Sequence, residues 1–275
     1  MIMRSDCKSV EEFGRVLQNE LPELRWNSSK IGILSGSFDN CYRIRLSING
    51  NLGWFYMGGL IPRSPAVLNQ INSLLFGPLK VAMRRGDGAP HLAASWPVEL
   101  SSPEFAKIFA EDLRRLIFGP LQMPEALPID AGVKSRLRDS IAVKEPYRPL
   151  PSDDKSIEFL VVAKSSLQVR AHLPIKDVLC FSVLVTNWTA SSRLTQEAAA
   201  TTIFLLNRHL KWSRLVLRGE VIEGEVTTPV SSLSGRVWQL AKQTLTQAIS
   251  TRDILRIVQE PLVAEEVRHI VMKNQ

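Results

Sequence analysis

The sequence predicts an α+β protein of two tandem helix–three-strand–helix–two-strand–helix domains, each with an antiparallel sheet, packed together as a pseudo-dimer. Three observations predict it. Apolar residues recur in blocks of helical spacing and blocks of strand spacing. One order of blocks occurs twice, and a Pro-rich stretch separates the two occurrences. With 45% hydrophobic residues the 275-residue chain has enough apolar material for a packed core, which excludes a wholly disordered protein. No stretch approaches the ~18 to 20 apolar residues that a membrane-spanning helix needs.

From Ser9 to Leu21, the residues Val10, Phe13, Val16, Leu17 and Leu21 form the stripe of an amphipathic helix, which Pro22 closes. The period then changes to two. Tyr42, Ile44, Leu46 and Ile48 alternate with Arg43, Arg45, Ser47 and Asn49, giving a half-buried strand that shows arginines on its other side. Asn49-Gly50 suits a tight hairpin turn. The return strand runs from Trp54 to Ile61, and Ile31 to Leu34 is the third strand of this meander. Trp54 and Tyr56 alternate with Phe55 and Met57, so both sides of that strand are bulky. The preferred reading is that helices cover both sides; the other is an exposed groove suited to a partner strand or helix.

Ser64-Pro65 opens the next helix, with a capping residue followed by proline at the first helical position. Val67, Leu68, Ile71, Leu74 and Leu75 form its apolar face, and Gly77-Pro78 ends it. Strands at Leu79 to Met83 and Leu92 to Val98 follow, joined through Gly86-Asp87-Gly88. Ser102-Pro103 starts a helix with Phe105, Ile108, Phe109, Leu113, Leu116 and Ile117 on one face. Six prolines between positions 120 and 155, interrupted by a helix at Gly132 to Val143, read as a linker.

Past the linker the order returns. Ile157 to Val162, Leu167 to Leu173 and Val178 to Trp188 read as strands. Thr195 caps a helix with Ala199, Ile203, Leu206 and Leu210 on one side. Strands at Leu215 to Leu217 and Val221 to Thr227 precede a helix from Ser234, whose apolar positions are Val237, Leu240, Ala241, Leu245, Ala248 and Ile249. Trp238 lies beside that stripe and reads as packed. Subtracting 132 from the stripe reproduces that of the helix after Ser102-Pro103, and the same offset carries Pro97-Val98 onto Pro229-Val230. The boundaries expected are residues 1–120 for the first domain, 121–155 for the linker with one short helix, 156–251 for the second domain, and 252–275 for a C-terminal helical extension.

This order of elements resembles the type III secretion chaperone fold and the related YbjN-like family. The residues that carry the resemblance are the Asn49-Gly50 hairpin, the helix after Ser64-Pro65, the strand pair from Lys80 to Val98 and the helix after Ser102-Pro103, repeated from Lys211 to Ile249. The resemblance implies a non-enzymatic protein that binds partner polypeptides. In that family the middle helix and the following strand pair two subunits. Here this implies Val67 to Leu75 with Leu79 to Arg84 against Ala199 to Leu210 with Trp212 to Arg218, a dimer within one chain.

No catalytic constellation is legible. Cys7, Cys41 and Cys180 have no CxxC spacing, and Cys41 and Cys180 read as buried thiols in apolar strands. His91, His172, His209 and His269 show no metal-ligand spacing. Ser35-Gly36-Ser37 reads as a small-residue turn, without the GxSxG of a nucleophile elbow. Asp153-Asp154 and the pair Glu223 and Glu225 read as solvated charges. No cofactor, no metal and no enzyme activity are expected. The start of the chain has no apolar core of a signal peptide, so a cytoplasmic location is expected.

The net charge of +7 is spread along the chain. Lys80, Arg84 and Arg85 in the first copy, with Lys211, Arg214 and Arg218 in the second, follow equivalent helices and are able to form one stripe. Arg43 and Arg45 extend it, and Trp54, Tyr56 or Trp212 offer stacking surface. The preferred reading of these basic strands is a solvated sheet face. The candidate partner-binding residues are therefore Arg43, Arg45, Trp54, Tyr56, Lys80, Arg84, Arg85, Lys211, Arg214 and Arg218. The partner expected is a protein or peptide, with nucleic acid the alternative and no membrane; the chain is expected to be a monomer.

Overall fold

The computed structural model describes residues 3–30, 32–58, 64–83, 89–118, 125–142, 146–162, 166–189 and 192–273. The chain is α+β, with two six-stranded antiparallel sheets. It starts with α1 (Met3–Glu20) and four strands, β1 (Leu24–Lys30), β2 (Ile33–Phe38), β3 (Tyr42–Asn49) and β4 (Leu52–Gly58). Then come α2 (Pro65–Leu74), β5 (Lys80–Met83), β6 (Pro90–Pro97) and α3 (Pro103–Phe118). The later part holds α4 (Ala131–Ala142), β7 (Tyr147–Pro149), β8 (Ser156–Val161), β9 (Leu167–Ile175) and β10 (Val178–Asn187). It continues with α5 (Arg193–Asn207), β11 (Arg214–Arg218), β12 (Val221–Pro229) and α6 (Gly235–Ile249), and ends with α7 (Arg252–Ile257) and α8 (Pro261–Lys273).

Four strands, not three, follow each leading helix, and both additions are edge strands. β1 reads Leu-Arg-Trp-Asn-Ser-Ser-Lys and is solvated from Asn27 to Lys30, so it carries no sustained alternation. β7 is three residues ending in Pro149, a residue tolerated at a sheet edge because it has no N–H to donate. The first sheet runs β1-β2-β3-β4-β6-β5 and the second, from its matching edge, β7-β8-β9-β10-β12-β11. The stretch expected as a linker supplies α4 and β7 to the second sheet's layers: β7 pairs with β8, α4 packs on α6, and Leu127 bridges to Leu173.

Turn chemistry sets the registers. Ser35-Gly36-Ser37 is not a turn but the middle of β2, paired with Arg45, Ile44 and Arg43 of β3. The turn lies just beyond, where Asp39 and Asn40 adopt φ of 48° and 54° and the Cys41 N–H donates to the Phe38 carbonyl. Two successive positive φ values match the right-handed strand twist, and short side chains tolerate them best. Cys41, placed at the foot of that turn, is exposed rather than buried; Cys180 is buried, and burial pushes its thiol pKa well up. Between β3 and β4 the turn residues are Gly50-Asn51, one position later than the Asn49-Gly50 pairing predicts, with Gly50 at φ 59°.

Helices α1 and α3 pack on each other over one face of the first sheet. Phe13 stacks on Trp96 with centroids 5.3 Å apart, and Phe109 meets Phe55 edge-on at 4.8 Å. In the second sheet, α6 lies on β10 and β12, with Trp238 against Phe159 and Phe181 at 5.5 and 5.3 Å. The close approach of α6 depends on Gly224, where an added Cβ would stand 2.6 Å from the Ala248 Cβ. Gly224→Ala is expected to push the helix off the strand and lower stability by about 1–3 kcal/mol, read from urea denaturation. Helix α8 packs along α5, where Ala198 and Ala264 form a small buried cluster with Val258 at the end of α7. Among the described residues, no helix is long and apolar enough to cross a membrane.

Candidate binding face and the clasp behind it

Two features bear on function: a polar clasp where the two sheets meet, and the sheet face it leaves open. At the meeting place α2 packs on α5 and β11, and α5 packs on β5. Apolar helix stripes bring these elements together, yet each stripe holds one buried asparagine. The Asn72 side chain accepts from the Val81 N–H at 3.0 Å and donates to the Leu215 carbonyl at 2.8 Å. Asn207 accepts from the Leu215 N–H at 2.6 Å and donates to the Val81 carbonyl at 3.1 Å. Each amide thus serves its own following strand and reaches across to the other.

The first residues of β5 and β11 repeat this reciprocity. Lys80 donates to the carbonyls of Leu210 and, at 3.0 Å, Ser213. Arg214 donates to the carbonyls of Leu75 and, at 3.1 Å, Leu79, and also binds Glu225 from Nε and Nη2 at 3.0 and 2.8 Å. Lys80 and Arg214 are 2% and 3% exposed, so neither joins a surface stripe. Burial, then the nearby Arg214 charge, pulls the Lys80 pKa down to about 7. Asp112 of α3, also buried, accepts from the Phe76 and Gly77 N–H groups at 3.1 and 2.8 Å. Burial raises it to about 6 against the opposing pull of Arg214.

Two outward carboxylates of the second sheet are folded into this cluster. Glu225 is buried and Glu223 half-buried, not solvated, because Arg218 and Arg214 pair with them. Burial acts to raise Glu225, but the Arg218 and Arg214 charges prevail and hold it down to about 2. Arg218 also donates to the Ser73 carbonyl of α2 at 3.2 Å. Of the remaining basic candidates, Lys211 is exposed, and Arg84 and Arg85, with Gly86-Asp87-Gly88, lie outside the described residues.

The first sheet's outward face is different. Register places Arg43, Arg45 and Ser47 of β3 beside Gly58, Tyr56 and Trp54 of β4, and Ser95 of β6 beside Trp54. Ser35 and Ser37 of β2 and Arg25 and Lys30 of β1 share that side. Helices bury Phe55 and Met57 on the other side, whereas Trp54 remains 41% exposed, so helices do not cover both sides of β4. The Tyr56 ring leans over Gly58, where a Cβ would sit 2.3 Å from its hydroxyl, and lies 4.9 Å from the His91 ring. Among the strand positions on this side there is no Asp or Glu. Arg25, Lys30, Arg43 and Arg45 are exposed and make no ion pair among the described residues.

Sequence reasoning found Arg43, Arg45, Trp54 and Tyr56 through their alternation. It missed Arg25, Lys30, Ser35 and Ser37, because β1 and β2 were not read at those positions, and it missed Asn72 and Asn207. The available signal for the asparagines was their placement on an apolar stripe shortly before a strand that opens with a cation. Comparison with known proteins finds no family model that matches the chain. No curated protein matches its sequence.

Proposed function

We propose that this chain is a binding protein with no chemistry of its own, made of two chaperone-like units of common ancestry joined as an intramolecular pseudo-dimer. The open face of the first sheet takes a macromolecular partner that is anionic along its length. The observation that carries the reading is that face: four exposed cations, two aromatic rings and a set of serines, with no carboxylate among the described strand positions on that side. Cations without local partners attract a polyanion, and this attraction weakens as salt rises. The matching strand orders and the reciprocal roles of Asn72 with Asn207 and Lys80 with Arg214 support the pseudo-dimer, since a two-fold interface uses one patch twice.

Heparin chromatography tests the face. Arg43→Glu with Arg45→Glu is expected to elute at markedly lower salt than a control of equal charge change elsewhere, Arg15→Glu with Lys107→Glu, on exposed helix positions. Equal elution of the two variants would remove the proposed face. The pseudo-dimer has its own test: residues 1–120 and 121–275, co-expressed as separate chains, are expected to purify together at one to one. Two species that never associate would end that part of the reading.

A further inference from the structure

The open face points to one kind of anionic partner, and we infer that it is a single-stranded nucleic acid, with bases stacking on Trp54 and Tyr56 and phosphates meeting Arg43, Arg45, Arg25 and Lys30. This rests on the reading of the first sheet's outward side as the binding face. Trp54 and Tyr56 are two residues apart on a central strand, so their side chains emerge on one side about 7 Å apart along the strand. That spacing gives two separate platforms rather than one. Arg45 lies directly across from Tyr56, and Ser47 across from Trp54. A ring beside a guanidinium presents a π surface and a phosphate donor together, the combination that binds unpaired bases without reading their sequence.

The alternative polyanion, an acidic peptide, fits less well. Peptides dock by seating side chains in apolar pockets or by adding a strand at an edge. The outward strand positions offer only Ile33, Leu52 and Ala93 as half-buried aliphatic contacts, Ala82 being buried, and the rings lie in the middle of the sheet. Duplex is also disfavoured, because its bases are already stacked and shielded from a flat platform. The second sheet offers no equal site: Glu158, Glu223 and Glu225 share its outward side with the arginines there.

The test is fluorescence anisotropy on the full chain with a labelled 12-nucleotide single strand, the matching duplex and a labelled oligoglutamate peptide. The single strand is expected to bind, and four phosphate contacts predict a loss of about fiftyfold between 50 and 200 mM salt. Trp54→Ala is expected to weaken binding by about 5- to 150-fold, with Trp54→Phe retaining most of the affinity. Circular dichroism and thermal melting confirm that both variants are folded. Duplex binding as tight as single-strand binding, or a Trp54→Ala variant of unchanged affinity, overturns the stacking inference. Oligoglutamate binding through Arg43 and Arg45 without strand binding overturns it too, while leaving the anionic-partner reading in place. Binding of neither probe overturns both.

Discussion

Arg214→Ala is expected to cost about 3–5 kcal/mol of folding stability, the usual loss when one member of a buried ion pair is removed. Arg214 is nearly inaccessible and serves three partners at once, Glu225 and the carbonyls of Leu75 and Leu79. Its removal leaves those carbonyls without their donor and Glu225 with only Arg218. A buried acceptor that loses its donor forfeits its former hydration without recompense. Arg214→Lys should lose less, because Lys80 fills the reciprocal place by reaching two carbonyls of the other half. It will not recover the two-pronged bond to Glu225, for which the guanidinium fork is suited. Urea titration gives the answer directly. A loss below about 1 kcal/mol would mean that the clasp contributes little to holding the halves together.

Raising the pH from 7.0 to 8.5 is expected to stabilise the native protein, by up to about 2 kcal/mol if one proton is involved throughout. The sign follows from Lys80. Its folded pKa is about 7 against an ordinary 10.5, so in this window the unfolded chain holds a proton that the folded chain has released. Stability therefore rises with pH. Asp112 acts in the opposite sense at lower pH: with its pKa raised to about 6, its contribution is greatest below the ordinary 3.8 and declines as pH climbs to 6. Between about 6 and 7 both groups are charged and buried, and their joint contribution is at its lowest. His172, held below its ordinary 6.5 chiefly by burial, has finished its own effect by pH 7. Lys80→Met should flatten the rise between 7.0 and 8.5, as measured by denaturation midpoints. A wild-type protein with no slope there would show that Lys80 keeps its proton.

Much of the architecture was legible because apolar periodicity reports burial. The stripes of α3 and α6 were read residue by residue, and Phe105, Phe109, Val237 and Ala241 are all in the core. The alternation in β3 separated buried Ile44 and Leu46 from exposed Arg43 and Arg45. The edge strands β1 and β7 were not legible, since they bury too little to need a pattern. Nor was the clasp, and the reason is physical. A lysine, an arginine and two glutamates carry the same letters whether solvated or enclosed, and only the approach of β5 to α5 and of α2 to β11 enclosed them. The open face fell between these cases: its strand-centre residues were visible in the alternation, its flanking serines and cations were not.

The unlike outward sides of the two sheets leave the molecule's surface charge uneven. Four cations on the first sheet make no ion pair among the described residues, while Glu223 and Glu225 of the second are tied to arginines. A negatively charged object is therefore met in a preferred orientation before any contact is made, and the rate of productive encounter should fall as salt thins the field.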